Sequence, residues 1–324
     1  MSTHSAVNAS TVHPRFHLLI PTHTTRHLEP CLCAISRQTL PPATIVLTCD
    51  SDDPAIREVA ERSARAISEA FHARNLEPPL FLHIFRPHQG APRLNQVRNN
   101  GLRALESAGR LSPLDFILIL DGDTILEREG IAKHLRLAAT HIGAILPYRI
   151  NLDDLRTARV ESARLLQGDP TLESDLITET DRADLLKRQQ RMNRQLTLRS
   201  SPLRFLIKSH KPKLLGGHHA VRVDLLRAVN GFDEHYRGDG TDDDDLARRL
   251  YQLRPRIKVI PAATEVMAFH LYHETRRPWR PSEAPDHDRF ARKNIPTFAK
   301  DGWTTPLPQP TPTLQILSSA APVS

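Results

Sequence analysis

The chain has 324 residues, of which 39% are apolar and 25% are charged, so it can bury a core and is not a disordered polyelectrolyte. Its 44 basic and 37 acidic residues give a net charge of +7, which favours anionic partners such as phosphates, nucleic acid or an acidic membrane surface. No apolar run approaches the roughly 18 residues that span a bilayer, and the first residues lack the pattern of a secretory signal. With three cysteines, too few for a disulfide framework, the chain is predicted to be cytoplasmic.

Strand-like and helix-like segments alternate over the first part of the chain. The predicted strands are 16–20, 44–48, 81–86 and 116–120, and the predicted helices between them are 26–37, 54–74 and 94–105. The last of these is apolar at every position, which is typical of a strand covered on both faces. This alternation predicts a parallel sheet with right-handed crossovers. Because a ligand of such a sheet binds beyond the carboxyl ends of its strands, the residues after Leu120 are candidates for a site.

Two later regions differ from this pattern. Residues 152–200 are predicted to be helical and increasingly basic, and the segment Arg182–Lys213 holds ten Lys and Arg residues against the single acid Asp184. Such a segment is either a solvated helix face or a surface for anionic acceptors or lipid head groups. The region from Gly302 onward contains five prolines and is predicted to have no regular structure.

The sequence Asp121-Gly122-Asp123 directly follows the apolar strand. Two carboxylates separated by one glycine can supply oxygen ligands to Mg²⁺ or Mn²⁺ while the backbone turns tightly. A divalent cation there would neutralise a diphosphate and help it to leave. The same three residues also form an ordinary turn, so the motif alone leaves both interpretations open.

Four consecutive aspartates occupy positions 242–245, ahead of a segment with helical spacing. Acidic residues in a first helical turn offset the helix dipole. Four adjacent like charges exceed what that role requires, however, and they repel one another. One of them with a raised pKa, facing a cleft, would serve as a general base for a hydroxyl group.

Two histidines, His270 and His273, follow an apolar segment near the end of the predicted domain. A single histidine in such a place is most often structural. A pair three residues apart, in a chain that already offers an acidic metal site, can also be a pair of metal ligands. Both interpretations remain open on the residues alone.

Taken in order, these segments resemble the family 2 glycosyltransferases with the GT-A fold, in particular those with a galactosyltransferase-like C-terminal region. The fold implied is a mixed α/β domain, Rossmann-like, whose mostly parallel sheet is flanked by helices. The segments that carry the resemblance are 18–22 (LLIPT), 96–102 (QVRNNGL), the DxD motif 121–123, 230–234 (NGFDE) with 238–250, and 270–273 (HLYH).

The resemblance implies transfer of a sugar from a nucleotide-diphosphate sugar, of UDP type, to a hydroxyl of a glycan or lipid-linked acceptor. It implies an inverting displacement that depends on Mn²⁺ or Mg²⁺, and a setting in cell-envelope polysaccharide synthesis. Nucleic acid is not an expected partner. The basic segment Arg182–Lys213 is expected to contact an anionic membrane surface, which places the protein in the cytoplasm or peripherally at the inner face of the plasma membrane.

The resemblance also implies roles for individual residues. Thr22 and Asp50 face the nucleotide base, Arg98 lies near the diphosphate, and two glycines let the backbone approach the donor sugar. The donor-binding positions are Pro21, Thr22, Asp50, Arg98, Asp121, Gly216 and Gly217. The metal positions are Asp123, Asp121, which touches the ribose or a metal-bound water, and His270 or His273, with His270 favoured. The catalytic positions are Asp243, as the base, and Asp242, in the place of the family's Glu.

Two positions depart from the family pattern. Asp50 stands in the sequence Thr-Cys-Asp-Ser, where the family has Asp-Asp-Gly-Ser, and Asp239 replaces an aromatic residue between two glycines. The chain is predicted to consist of a flexible N-terminus 1–14, a transferase domain 15–300 and a disordered Pro-rich tail 301–324. Within the domain, the nucleotide-binding half extends to about residue 125 and the acceptor half follows it, with a basic helical insertion near 152–213.

Two other functions remain alternatives. The segment 118–126 also resembles the first motif of haloacid-dehalogenase-like phosphatases, with Asp121 as nucleophile and Asp123 as acid/base. That interpretation leaves the first hundred residues and both histidines without a role. A non-catalytic nucleotide or nucleic-acid binding protein would explain the charge, but Phe205 is the lone aromatic residue of the basic segment.

Overall fold

The computed structural model describes residues 14–90, 93–139, 141–215, 217–237, 241–274 and 287–318. The strands in these ranges are β1 (Phe16–Thr22), β2 (Thr44–Cys49), β3 (Leu80–Phe85), β4 (Phe116–Leu120), β5 (Thr124–Leu126), β6 (Ile142–Leu146), β7 (Tyr148–Asn151), β8 (His218–Arg222), β9 (Lys258–Pro261), β10 (Met267–His270) and β11 (Thr313–Ser318). The helices are α1 (Leu28–Ser36), α2 (Pro54–His72), α3 (Leu94–Ser107), α4 (Gly130–Leu137), α5 (Asp154–Thr157), α6 (Ser162–Leu166), α7 (Leu172–Leu176), α8 (Glu179–Ser200), α9 (Val223–Ala228), α10 (Asp242–Gln252) and α11 (His287–Ala291), and a 3₁₀ turn covers Pro202–Leu206.

Eight strands form one sheet in the order β11-β3-β2-β1-β4-β8-β6-β9. The strands β1 to β4 run parallel to one another, with a helix on each connection between them. The strand β8 lies between β4 and β6 and is antiparallel to both. The predicted fold class, a mixed and mostly parallel sheet flanked by helices, is confirmed.

Both faces of the sheet are buried, which explains why its central strands show no polar alternation. In β1, Leu18 belongs to a core cluster with residues of α1 and α2, whereas Leu19 belongs to a second cluster on the other face with residues of α3 and α10. A Cβ at Gly101 of α3 would collide with the Leu19 side chain. Glycine at this position therefore lets α3 lie directly against the sheet.

A smaller sheet of three strands, in the order β5-β10-β7, continues from the carboxyl end of β4. Its β10 is antiparallel to β5 and parallel to β7. A third apolar cluster, which includes Leu165 of α6 and Leu172 of α7, packs with this sheet. Because β5 begins one residue after Asp123, the small sheet holds the chain that follows the acidic motif. None of the described helices has the length and apolarity that crossing a bilayer requires.

At the opposite end of β4, Asp115 joins the start of that strand to β1. Its buried carboxylate accepts hydrogen bonds from the Arg15 amide at 3.0 Å and the Ser112 amide at 2.9 Å, pairs with the Arg15 guanidinium at 2.9 Å and lies 3.3 Å from His17 Nε2. Burial alone would raise the pKa of Asp115, but these hydrogen bonds lower it from its usual 3.8 to about 2. The ionised carboxylate therefore stabilises the fold.

We expect Asp115→Asn to lower the free energy of unfolding at pH 7 by about 1–3 kcal/mol, the range for a buried hydrogen-bonded group that loses its partners. The folded-state pKa is depressed, so the wild-type advantage is present above pH 3.8 and is lost as the pH falls through about 2. Urea unfolding of both proteins at several pH values tests this. A difference that stays constant across that range would contradict it.

Two sequence predictions about chain segments are wrong. The first strand was expected to end at Ile20, but β1 continues through Pro21 to Thr22. Its pairing with β4 stops at Leu19, whereas its pairing with β2 continues to Thr22, so the missing N–H of Pro21 interrupts no bond to β4.

The second error concerns the tail, which was expected to be disordered. Trp303 is 1% exposed, and its amide donates to the carbonyl of Asn230 at 2.8 Å. Farther on, β11 pairs antiparallel with β3 at the edge of the large sheet. Four of the five prolines that suggested disorder precede this strand, the last of them Pro312, and the fifth, Pro322, lies outside the described residues. Residues 1–13 and 319–324 lie outside the described part of the chain.

Candidate active site

The acidic motif lies at the carboxyl end of β4, and the pairing of β10 with β5 brings two histidines to it. His270 is the register partner of Thr124, the residue after Asp123. The amide of Leu271 donates to the carbonyl of Asp123 at 2.9 Å. Strand pairing, rather than proximity in sequence, therefore places the end of β10 beside the carboxylate.

The side chains of Asp123, His270 and His273 form a compact group. His270 Nε2 lies 3.5 Å from Asp123 Oδ1, and His273 Nε2 lies 3.2 Å from Asp123 Oδ2. One ligand atom from each residue lies within 4.8 Å of the other two. Burial would raise the pKa of Asp123, but the hydrogen bond and charge of His270, with Arg149 and His273 nearby, lower it to about 2. A carboxylate and two imidazoles in this arrangement are a donor set that suits a divalent transition metal.

Asp121, the other acid of the motif, faces a different partner. Its Oδ2 accepts a hydrogen bond from Arg149 Nη1 of β7 at 3.1 Å. A Cβ at Gly217 would lie 2.6 Å from that oxygen and would also overlap the Arg149 guanidinium. Only glycine at position 217 leaves room for this pair. Burial raises the pKa of Asp121, and Arg149 partly offsets the effect.

Arg149 was not identified from the sequence. It is a single basic residue in a short strand with no motif around it, and it reaches the site because β7 pairs with β10 in the small sheet. A basic side chain that follows the acidic motif by fewer than thirty residues is the one signal the sequence offers, and it is not specific.

The acidic run at the start of α10 forms a second group, held by α3. Arg98 Nη1 donates to Asp242 Oδ2 at 2.7 Å and to Asp243 Oδ1 at 3.1 Å. The Arg98 side chain is 1% exposed, and its guanidinium lies 5.0 Å from the centre of the Phe232 ring. In this structure Arg98 is buried and positions the two carboxylates, and its predicted place near a diphosphate stays a prediction.

Asp243 is the more accessible of the two, with 18% of its side chain exposed against 4% for Asp242. Burial raises the pKa of Asp243 to about 8 despite the charge of Arg98, and the neighbouring Asp242, Asp121 and Asp244 contribute to the rise. Asp121 is among the charges that raise this pKa, so the two groups of acids interact electrostatically. A carboxylate whose pKa lies near neutrality can accept and release a proton at physiological pH.

The positions predicted to face a nucleotide base lie at the carboxyl ends of neighbouring strands. The carbonyl of Thr22 accepts from the amide of Asp50 at 3.1 Å, and a Cβ at Gly122 would lie 3.1 Å from Thr22 Oγ1. Asp50 is buried and pairs with Arg86 at 2.8 Å, an arginine that the sequence analysis missed. Gly216 and the segment 238–240, which includes Asp239, lie outside the described residues.

A family model described as the N-terminal domain of galactosyltransferase matches residues 197–274. Residues 197–274 are galactosyltransferase-like. The segment contains the acidic run of α10 and both histidines at the end of β10, and it begins near the end of α8. The predicted galactosyltransferase-like C-terminal region is thereby confirmed. The comparison with curated proteins found no match.

Solved structures to which the chain is similar include a TarS fragment and two proteins in complex with UDP and Mn²⁺. S. aureus TarS 1–349 is 15% identical with a TM-score of 0.44, over 78% of this chain and 60% of that one. GalNAc-T7 with UDP, GalNAc and Mn²⁺ is 11% identical with a TM-score of 0.45, over 81% and 45%. Mycobacterium tuberculosis glucosyl-3-phosphoglycerate synthase, in complex with Mn²⁺, UDP and glucosyl-3-phosphoglycerate, is 12% identical with a TM-score of 0.38, over 82% and 73%. The chain thus spans about 60% of the length of the TarS fragment.

Proposed function

We propose that the protein is a metal-dependent glycosyltransferase that moves a sugar from a nucleotide-diphosphate sugar to a hydroxyl group of a glycan or lipid-linked acceptor. The observation that carries the proposal is the ligand set of Asp123 with two histidines at the end of β4, with Asp121 of the same motif interacting electrostatically with Asp243. Such a transfer requires a cation site for the diphosphate and a proton acceptor for the hydroxyl group. The match of residues 197–274 to a galactosyltransferase domain supports the same conclusion.

Asp123, His270 and His273 fit a bound Mn²⁺ better than Mg²⁺, because imidazole nitrogen is an unusual ligand for magnesium, which prefers oxygen. Bound there, the cation would supply positive charge to the donor diphosphate as it leaves. We assign both histidines as ligands, since their Nε2 atoms lie at similar distances from the two oxygens of Asp123.

Asp243 is the proposed base. It takes the proton from the acceptor hydroxyl as that oxygen bonds to the anomeric carbon, while the bond to the diphosphate oxygen breaks and the diphosphate leaves with the electron pair. Arg98 orients the carboxylate and Asp242 shares that arginine. In-line displacement of this kind inverts the anomeric centre.

On the donor side, we propose that Pro21, Thr22 and Asp50 face the base of a UDP-type nucleotide. Asp121 faces the ribose or a metal-bound water, and the backbone at Gly217, with Gly216, faces the sugar. The hydrogen bond between Thr22 and Asp50 and the closeness of Thr22 to Gly122 support this assignment. We place the reaction in the cytoplasm, in cell-envelope polysaccharide synthesis, with the basic segment Arg182–Lys213 toward the inner face of the plasma membrane.

The test is incubation of the protein with a panel of nucleotide sugars and Mn²⁺, with and without a crude glycan or lipid-linked acceptor. We expect nucleoside diphosphate release that depends on Mn²⁺ and increases with acceptor. Release of inorganic phosphate from phosphomonoesters instead, abolished by Asp121→Asn, would establish the phosphatase alternative. No observation on the described residues favours that alternative, because Asp123 lies between two histidines and residues 231–237 form no strand ahead of the acidic run.

The raised pKa of Asp243 predicts how the reaction depends on pH. The base acts in its deprotonated form, so kcat/KM for the acceptor should rise with pH through about 8 and level off above it. Measurement of kcat/KM from about pH 6 to about pH 9.5 at saturating Mn²⁺ tests this. An acid limb centred near the ordinary aspartate value, about 4, would show that the base is a different carboxylate or is not perturbed.

A further inference from the structure

The loop between α8 and β8 carries an exposed apolar turn. Within the 3₁₀ turn Pro202–Leu206, Leu203 is 49%, Phe205 76% and Leu206 65% exposed. A single exposed leucine is ordinary, but three large apolar side chains together on one turn of five residues indicate an interaction surface.

The side chains around this turn are basic. Arg204, Lys208 and Lys213 are exposed, and the chain contains no aspartate or glutamate between Asp184 and Asp224. An apolar tip surrounded by positive charge, with no acid in the same stretch, is complementary to an anionic lipid bilayer, whose head groups attract lysine and arginine and whose acyl boundary accepts leucine and phenylalanine.

The turn is held in a fixed shape. The Arg199 guanidinium at the end of α8 donates to the carbonyl oxygens of Ser209, at 2.9 Å, and of Lys211, and it lies 4.1 Å from the centre of the Tyr251 ring. The hydroxyl of Tyr251 donates to the Pro212 carbonyl at 2.8 Å. The chain that follows the turn is fastened to α8 and α10 in this way, while the apolar side chains of the turn itself stay exposed.

The same loop reaches the acidic run. Lys213 Nζ lies 2.7 Å from Asp244 Oδ2, and Asp244 is the residue after the proposed base. The end of the loop at Lys213 therefore contacts the start of α10, the helix that carries the proposed base.

We propose that residues 200–213 are a membrane anchor, in which Leu203, Phe205 and Leu206 enter the interface of an anionic bilayer while Arg204 and Lys208 bind its head groups. The acceptor is then an amphiphile with a lipid tail, which presents its hydroxyl to Asp243 from the membrane surface. The part of this proposal that concerns the acceptor rests on the proposed transferase function, and the anchoring does not.

Co-sedimentation of the full chain with phosphatidylcholine vesicles, with and without phosphatidylglycerol, tests the anchor. We expect binding only to the vesicles that contain phosphatidylglycerol. The double variant Phe205→Ser, Leu206→Ser should bind at least about tenfold more weakly, because it removes most of the inserted apolar surface. Its matched control is Leu155→Ser, which changes a leucine of α5 that is 78% exposed and should bind as the wild type does.

The charge contribution has its own pair of variants. Arg204→Glu, Lys208→Glu should weaken binding by at least about tenfold, since each basic residue near an anionic surface contributes about fivefold. Arg65→Glu, at an exposed position of α2, should leave binding unchanged. Equal vesicle binding by the wild type and the Phe205→Ser, Leu206→Ser variant would overturn the proposal, as would a dimer in light scattering that this variant converts to monomer.

Activity assays separate the anchor from the transferase function. In detergent-free vesicles, the loop variants should lose transfer to a lipid-linked acceptor but retain slow, Mn²⁺-dependent hydrolysis of the donor. Vesicle binding without transfer from any nucleotide sugar would uphold the anchor and contradict the transferase. Transfer by a protein that binds no vesicles would uphold the transferase function and contradict the anchor.

Discussion

Asp123→Ala should lower the affinity of the protein for Mn²⁺ by at least about 100-fold, because removal of outer partners alone costs metal sites 10–100-fold and Asp123 is a proposed ligand. His270→Ala and His273→Ala should each weaken binding as well, since the two Nε2 atoms lie at similar distances from Asp123. Titration of Mn²⁺, followed by the loss of its free electron paramagnetic resonance signal, measures this without any assay of activity.

The matched control for the histidine variants is His72→Ala, which changes an exposed histidine at the end of α2 and should leave Mn²⁺ affinity unchanged. Unfolding curves of all variants confirm that the fold persists. Wild-type affinity in the Asp123→Ala protein would contradict the metal assignment, and wild-type affinity in one histidine variant would reduce the ligand set to the other histidine.

Asp243→Asn should reduce kcat by at least about 100-fold with little change in donor affinity, the effect that follows loss of a general base. Asparagine retains the size of the side chain but accepts no proton at neutral pH. The same substitution should abolish the rise of the remaining rate through about pH 8, which reflects the raised pKa of Asp243. Steady-state kinetics over a range of pH, together with donor binding by calorimetry, measures both effects.

Asp184→Asn, at a position of α8 that is 56% exposed, is the control and should keep the wild-type rate. A normal kcat in Asp243→Asn would transfer the role of base to Asp242 or remove it altogether. Asp242→Asn separates the two carboxylates: if Asp243 is the base, this substitution should lower the rate through the shared arginine while the pH profile keeps its limb near 8. Loss of that limb in Asp242→Asn would instead identify Asp242 as the base.

Local sequence was sufficient to predict the first four strands and the position of the acidic motif. An uninterrupted apolar run followed by Asp-Gly-Asp identifies the end of a buried strand without knowledge of any partner. The two histidines were singled out from their spacing. Their place beside Asp123 depends on the register of β10 against β5, which spacing does not determine.

Long-range partners could not be predicted. Arg98 and the carboxylates that it holds are 144 and 145 residues apart in sequence, and the interpretation of Arg98 as a phosphate neighbour came from the family pattern alone. Arg149 approaches Asp121 because two short strands pair and because Gly217 leaves the space. No periodicity in the sequence predicts the contacts of Arg98 or of Arg149.

The antiparallel strand β11 has a practical consequence for anyone who shortens this protein. Cutting the chain after residue 300, where composition suggested a disordered tail, would remove the strand that pairs with β3 and the buried side chain of Trp303. An exposed edge strand of this kind can pair with strands of other chains. Such a product would be expected to form aggregates, and fusion tags are better placed at the amino end.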